Sequence, residues 1–293
     1  MTLARVQRRL LQAAAIVIFL VLAGATYQGV ATALERREFP HPGRLVDVGG
    51  HQLHLSCTGE GSPTVVLEAP AAGMSAAWGW IQPEIAETTR VCSYDRAGLG
   101  WSEAGDLAFD PATVAEQLHV LLEKSGERGP YVLAGQGLGA ALALLDAKRL
   151  GDRAVALVAI DRPATAEPSE RARATRLVTM SPWLARAGVL RATTMLSARA
   201  TGLPEPSQGA LRAFLNRPDH LTRAARELVR WDDIVTLASS VALPTSMHLT
   251  EIRAGQAGGV DFLTDAAAAA PVARTILDAV AAVRGQSTEG SRQ

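Results

Sequence analysis

The apolar positions of the chain fall into three regimes. Residues 10–25 are almost wholly apolar (LLQAAAIVIFLVLAGA), and no charge stands between Arg9 and Glu35. Between residues 45 and 163, short runs of period-two or continuous apolar character alternate with helical periodicity. From 164 to 241 the pattern changes to short helical stretches rich in Ala, Arg and Leu, broken by Pro182, Pro204, Pro206 and Pro218.

The middle regime predicts strands at 45–48 and 52–56, paired as a hairpin across Gly49-Gly50, then at 64–67, 90–94, 131–134 and 155–160. Helices are predicted at 77–87, at 111–125 and from Leu138 onward. Pro111 opens the second of these, with Val114, Leu118, Leu121 and Leu122 on one face. Strand character returns around 244–252, and an alanine-rich helix over 266–283, with Pro271 near its first turn, closes the chain. Apolar strands alternating with helices imply an α/β fold, a mostly parallel sheet with helices on both faces. The expected organisation is a core over 45–163, a helical cap over 164–241, a closing part of the core over 242–284 and a disordered polar tail over 285–293. Residues 35–44, with Pro40, Pro42 and Gly43, read as a linker.

The N-terminal segment reads as a membrane span. Residues 10–34 as a helix cover roughly 37 Å at ~1.5 Å per residue, enough to cross a hydrocarbon core of about 30 Å. Arg5, Arg8 and Arg9 precede it, which places residues 1–9 in the cytoplasm and the remainder outside. A cleaved signal peptide ending near Ala23-Gly24-Ala25 is the competing reading; the uncharged run through Leu34 argues for an uncleaved anchor. A buried soluble helix is the third, opposed by the arginine-rich start. The expectation is a single-pass plasma-membrane protein whose partner is the lipid bilayer, with its domain extracytoplasmic.

Composition narrows this further. The 29 basic and 29 acidic residues cancel, so no global field favours nucleic acid. Two cysteines, Cys57 and Cys92, exclude a disulfide-dense scaffold and a multi-cysteine metal site, and no metal or cofactor is implied. The two can still pair with each other.

The candidate chemistry centres on Tyr131-Val-Leu-Ala-Gly-Gln-Gly-Leu-Gly-Ala140: strand, tight turn and helix in ten residues. It has the frame of the nucleophile elbow G-x-S-x-G, with Gly137 at the serine position. Together with the run from Thr64 to Ala69, Trp80-Ile-Gln-Pro83 and the stretch from Arg90 to Ser102 containing D-R-x-G-x-G-x-S, this resembles an α/β-hydrolase. The resemblance is strongest to the membrane-anchored bacterial branch with a small helical cap, and covers residues 43–163 well.

That resemblance implies a serine, a histidine, a carboxylate and two backbone N–H groups for an oxyanion. Gly137 offers no nucleophile, and Gln136 precedes it where relatives place histidine. The histidine is expected between 254 and 271, yet none follows His248, and Asp261 holds the analogous place. The acid cannot be assigned. The oxyanion loop reads Ala69-Pro70-Ala71, where Pro70 has no N–H and a fixed φ, leaving the N–H groups of Leu138 and Ala71 to converge in altered geometry.

The remaining candidates are weaker. His248 and His220 are possible pocket residues, Asp161 a possible alternative acid, and His119, Asp95 and Ser102 structural groups. His51 and His54 are expected at the surface. In the strand order of the resembling family, the strands carrying Cys57 and Cys92 are neighbours, which allows a disulfide in an exported domain; two buried thiols are the alternative. The function these features imply is a degenerate serine hydrolase serving as a binding or regulatory module, with a small apolar ligand under the cap. An active ester, lactone or amide hydrolase with a non-standard catalytic set and a structural envelope protein are the alternatives. Protein partners are not legible.

Overall fold

A computed structural model describes residues 3–105, 110–163, 168–253 and 262–290. The first helix, α1 (Leu3–Glu38), is continuous from before the arginines to the end of the uncharged run. It therefore includes the first four residues of the expected linker. Among the described residues, two helices are long and apolar enough to cross a membrane, and α1 is one.

Seven strands form one sheet: β1 (Arg44–Asp47), β2 (Gln52–Thr58), β3 (Thr64–Glu68), β4 (Val91–Tyr94), β5 (Tyr131–Gln136), β6 (Ala154–Ile160) and β7 (His248–Ile252), in the order β1-β2-β4-β3-β5-β6-β7. The hairpin β1–β2 is antiparallel, β2 runs antiparallel to β4, and all later pairings are parallel. Four of the parallel strands are buried almost throughout, as their continuous apolar runs require.

Helices cover both faces. On one side lie α3 (Pro111–Lys124), α4 (Leu138–Leu150) and α9 (Trp231–Ser239), contributing Leu118, Leu121, Leu142 and Ile234 to a core with Leu53, Tyr94 and Leu133. Asp110 caps α3 by accepting the Thr113 N–H at 2.8 Å, with Pro111 at the first helical position. The other side carries α2 (Ile81–Ala86) and α10 (Ala266–Gly290), whose Ile81, Ile85, Val272, Ile276 and Val280 pack on Val65, Val132 and Val158. This buried face makes α10, the second helix apolar enough to span, a core helix.

The cap consists of α5 (Pro168–Arg186), α6 (Val189–Thr193), α7 (Ser207–Phe214) and α8 (Pro218–Val229). Three expectations change here. The final helix of the expected cap region, α9, belongs to the core, because Ile234, Val235 and Ala238 pack against the sheet side. The helix expected at 77–87 is a 3-10 turn, Ser75–Trp78, followed by α2. The break falls at Gly79, whose position would bring a Cβ to 2.9 Å from Ser207 Oγ. Finally, α10 continues to Gly290, into the stretch read as a disordered tail from 285.

Candidate functional site

β5 ends at Gln136 and α4 begins at Leu138, so Gly137 alone makes the reversal, at φ 58° and ψ −123°. This left-handed conformation suits glycine and strains any L side chain. The Gly137 N–H donates to the Ile160 carbonyl at 2.9 Å, and the Ala140 N–H donates to the Gly137 carbonyl at 3.0 Å. The three glycines of the frame are held for different reasons. A Cβ on Gly135 would lie 2.4 Å from the Gly139 carbonyl oxygen, and one on Gly139 would lie 2.4 Å from that of Ala69. Among the described residues, a Cβ on Gly137 meets nothing within 4 Å. Packing dictates the outer two, while no described residue packs on the middle position.

The segment after β3 touches the elbow through that same Ala69–Gly139 contact. Its turn is closed by the Gly73 N–H on the Pro70 carbonyl at 2.9 Å. Ala72 takes φ 56°, so a left-handed residue survives in this loop without glycine. Ala71 is half-buried and Leu138 fully buried in the core under α4.

The candidate histidines do not converge on Gly137. His248 is exposed at the first residue of β7, paired with Ala156, whereas the elbow lies level with Ile160 and Ile252. Four residues of strand put His248 about 13 Å toward the opposite end of the sheet, which removes it as a pocket residue. His220, on α8, is buried against this end. Its Nδ1 accepts the Gly100 N–H at 3.0 Å and its Nε2 donates to the Ala72 carbonyl at 3.1 Å. Both ring nitrogens are thus engaged with backbone, and burial lowers its pKa to about 4 despite the Ala72 bond and Asp219.

Asp161 follows β6 directly and lies beside the elbow, since the Ile160 carbonyl receives the Gly137 N–H. Its φ is 49° and its own N–H donates to the Ile252 carbonyl at 2.9 Å. Gln136 is half-buried at the end of β5. Asp261 lies outside the described residues.

His54 corrects the surface expectation. It is fully buried on β2, with Nδ1 3.0 Å from Asp95 Oδ2 and Nε2 accepting the Gly43 N–H at 3.3 Å. Asp95 also accepts the N–H groups of Ser75 at 2.6 Å and Trp101 at 2.9 Å. Burial pushes its carboxyl up, but His54 and these N–H groups together hold it below the usual range. Ser102 Oγ donates to the Asp95 carbonyl at 2.5 Å and accepts the His54 N–H at 2.8 Å. His119, within α3, has its Nδ1 2.6 Å from the Arg153 guanidinium.

A buried charge cluster, which sequence reasoning missed, ties the loop after β3 to the cap. Arg96 donates to Glu68, to the carbonyls of Ala69 at 2.8 Å and Pro70 at 3.0 Å, and to Glu227 of α8 at 2.7 Å. Tyr94 donates its hydroxyl to Glu68 as well. Burial raises the Glu68 carboxyl, while Asp146 on α4 is driven well above its ordinary value by burial and by Glu68. The available signal was a glutamate closing an otherwise apolar buried strand, a charge that needs a partner.

A cavity of about 740 Å³ lies elsewhere, between the residues after α1 (Phe39, His41), the Ser75–Trp78 turn and α7 of the cap (Ala210). Cys57 and Cys92, opposite one another in the β2–β4 ladder, are joined by a disulfide. Glu127 lies near their sulfurs, but it is held by the Arg90 fork at 2.6 Å on both oxygens.

A model of the alpha/beta hydrolase family matches residues 65–287. The chain belongs to the α/β-hydrolase family. Among curated relatives it is 30% identical over 125 residues to the uncharacterized protein YbdG of Bacillus subtilis, covering 41% of this chain and 37% of that one. It is 30% identical over 100 residues to a probable transporter, efuK, of Hormonema carpetanum, covering 31% of this chain and 14% of that one. The matched segments thus span little more than a third of these relatives at most. Among solved structures, an enol-lactonase from Burkholderia xenovorans superposes with a TM-score of 0.58 at 18% identity, covering 81% of this chain and 100% of that one. Epoxide hydrolase VrEH1 of Vigna radiata gives 0.60 at 15%, covering 80% and 96%. At these identities the likeness is one of fold.

Proposed function

We propose that this α/β-hydrolase-fold protein is anchored in the membrane by α1, is inactive as a serine hydrolase, and acts as a binding or regulatory module. The observation that carries the reading is Gly137: a turn with elbow geometry, no hydroxyl, and no described residue within 4 Å of where a side chain would start. Its support is the distribution of histidine. All six are in described positions, His220 and His54 are engaged at both ring nitrogens, and His248 lies toward the other end of the sheet. An elbow without serine, and with no histidine brought to it among the described residues, has no route to an acyl-enzyme by the family's chemistry.

The cavity beside α7 is the place proposed for a small apolar ligand. Its volume of about 740 Å³ falls within the range of small-molecule sites, about 300–1,000 Å³. Purified full-length protein is expected to hydrolyse no p-nitrophenyl ester and to take no label from a fluorophosphonate. Turnover or labelling overturns the reading. A bound ligand at a hundred times its Kd is expected to stabilise the fold by about 2.7 kcal/mol, seen as a raised melting temperature. A screen of apolar compounds that never raises it favours a purely structural envelope role instead.

A further inference from the structure

The second half of α1 is docked on the cap, and this fixes the cap's height relative to a membrane. Gly24, Gln28, Ala31, Thr32 and Glu35 form the inward face of the helix. Gln28 donates to the Asn216 carbonyl at 2.8 Å and accepts from Arg191 at 3.0 Å, while Arg191 also forks onto Glu35. At Gly24 the two backbones touch: a Cβ there would lie 2.0 Å from the Ala187 carbonyl oxygen, and one on Gly188 would lie 2.8 Å from the Gly24 carbonyl oxygen.

From Arg9, the last charge before the apolar run, Gly24 is fifteen residues along the helix, about 22 Å at ~1.5 Å per residue. A hydrocarbon core is about 30 Å thick. With Arg9 at the inner boundary, Gly24 and the Ala187–Gly188 turn packed on it lie about 8 Å below the outer boundary, and helix tilt takes them deeper.

The surface around that turn has matching chemistry. Leu177, Met180 and Leu184 share one face of α5 at helical spacing and are 67%, 55% and 37% exposed. Trp183 and Val189 beside them are 66% and 41% exposed. The Arg186 guanidinium lies 5.2 Å over the Trp183 ring, the aromatic-plus-cation arrangement that suits the boundary between acyl chains and headgroups. An apolar patch of this kind is a poor water-facing surface on an extracytoplasmic domain.

We propose that the α5–α6 corner of the cap is embedded in the outer leaflet beside α1, with Leu177, Met180, Trp183, Leu184 and Val189 against lipid acyl chains. The inference rests on α1 crossing the bilayer. The occupant is lipid, because the Ala187–Gly188 turn that joins α5 to α6 packs on Gly24 within the exposed apolar run of α1, at bilayer depth.

The test uses the full chain in phosphatidylcholine vesicles, with or without bromine on the acyl chains, compared with Trp183→Phe. The difference between the two proteins isolates the Trp183 emission. Expected is co-flotation of both with the vesicles and a fall in that emission of about two-fold or more on bromination, with little quenching by aqueous acrylamide. A second variant, Leu177→Glu with Met180→Glu, is expected to weaken the bromolipid quenching of Trp183 at an unchanged melting temperature. Co-flotation with Trp183 quenched by acrylamide and not by bromolipid overturns the proposal and leaves the anchor standing. Trp183 reached by neither quencher means that protein covers the face, which also overturns it. Protein that does not float removes the anchor reading and the proposal with it.

Discussion

Restoring the hydroxyl, by Gly137→Ser, separates what the elbow's geometry supplies from what the site lacks. The cost to stability follows from the backbone. At φ 58° an L residue loses about 1–2 kcal/mol relative to glycine, and with no described residue within 4 Å of the new Cβ none of them adds a steric term. For a domain of this size that is a fall in melting temperature of about 2–8 °C. Gly135→Ala is the internal control, because its Cβ would lie 2.4 Å from the Gly139 carbonyl oxygen and 2.8 Å from the Ala140 nitrogen, both backbone. It must displace the start of α4, and its expected loss is at the upper end of overpacking, about 3 kcal/mol or more. Differential scanning calorimetry of the two variants in the same detergent gives the comparison. Gly137→Ser is further expected to remain unlabelled by fluorophosphonate, because His220 is fixed between Gly100 and Ala72 and His248 lies about 13 Å down the sheet. A Gly137→Ser variant as unstable as Gly135→Ala would refute the open elbow. One that takes the label would show that a base is present, and would refute the reading of the site.

Three other measurements bear on the same molecule. His220 has a folded pKa of about 4 against 6.5 unfolded, so the unfolded state binds more protons between these values; its contribution is intact above pH 6.5 and is lost as pH falls toward 4, by up to about 3 kcal/mol. Relative to His220→Gln, which keeps a donor and an acceptor without titrating, wild type is expected to lose stability faster over that window; parallel profiles would refute the neutral clamp. Glu227→Ala leaves Arg96 with one carboxylate fewer in a buried site and is expected to destabilise the fold by about 3–5 kcal/mol in chemical denaturation. Alkylation without reduction is expected to leave the mass unchanged, and reduction first should add two alkyl groups; opening a 35-residue loop should then cost about 4 kcal/mol by chain entropy.

The centre of the sheet was legible because β3, β4, β5 and β6 are buried on both faces and carry continuous apolar runs, of which Val155 to Ile160 is the plainest case. The elbow was legible from three glycines at fixed spacing. What pattern could not show was where polar groups meet across distance. His54 alternates with Leu53 and Leu55 on a strand next to the hairpin edge, and read as solvent-facing; Asp95, forty-one positions later, is what allows it to be buried. The same holds for Arg96 and Glu227, which are 131 positions apart. α9 was assigned to the cap because its composition resembles its neighbours, and only its contact with the sheet side distinguishes it.

The three glycines of the frame are one motif in sequence but two in energy. Gly135 and Gly139 are fixed by backbone contacts between β5, α4 and the segment after β3, and these contacts exist whether or not any reaction takes place. Position 137 has no such contact among the described residues, and a side chain there meets backbone strain at φ 58°. The same division runs through the surroundings. Arg96 holds the carbonyls of Ala69 and Pro70 and links them to Glu227, and His220 holds Ala72 and Gly100; both serve to join cap to core. The polar groups packed around the elbow thus join cap to core, and position 137 carries no side chain that could add to them.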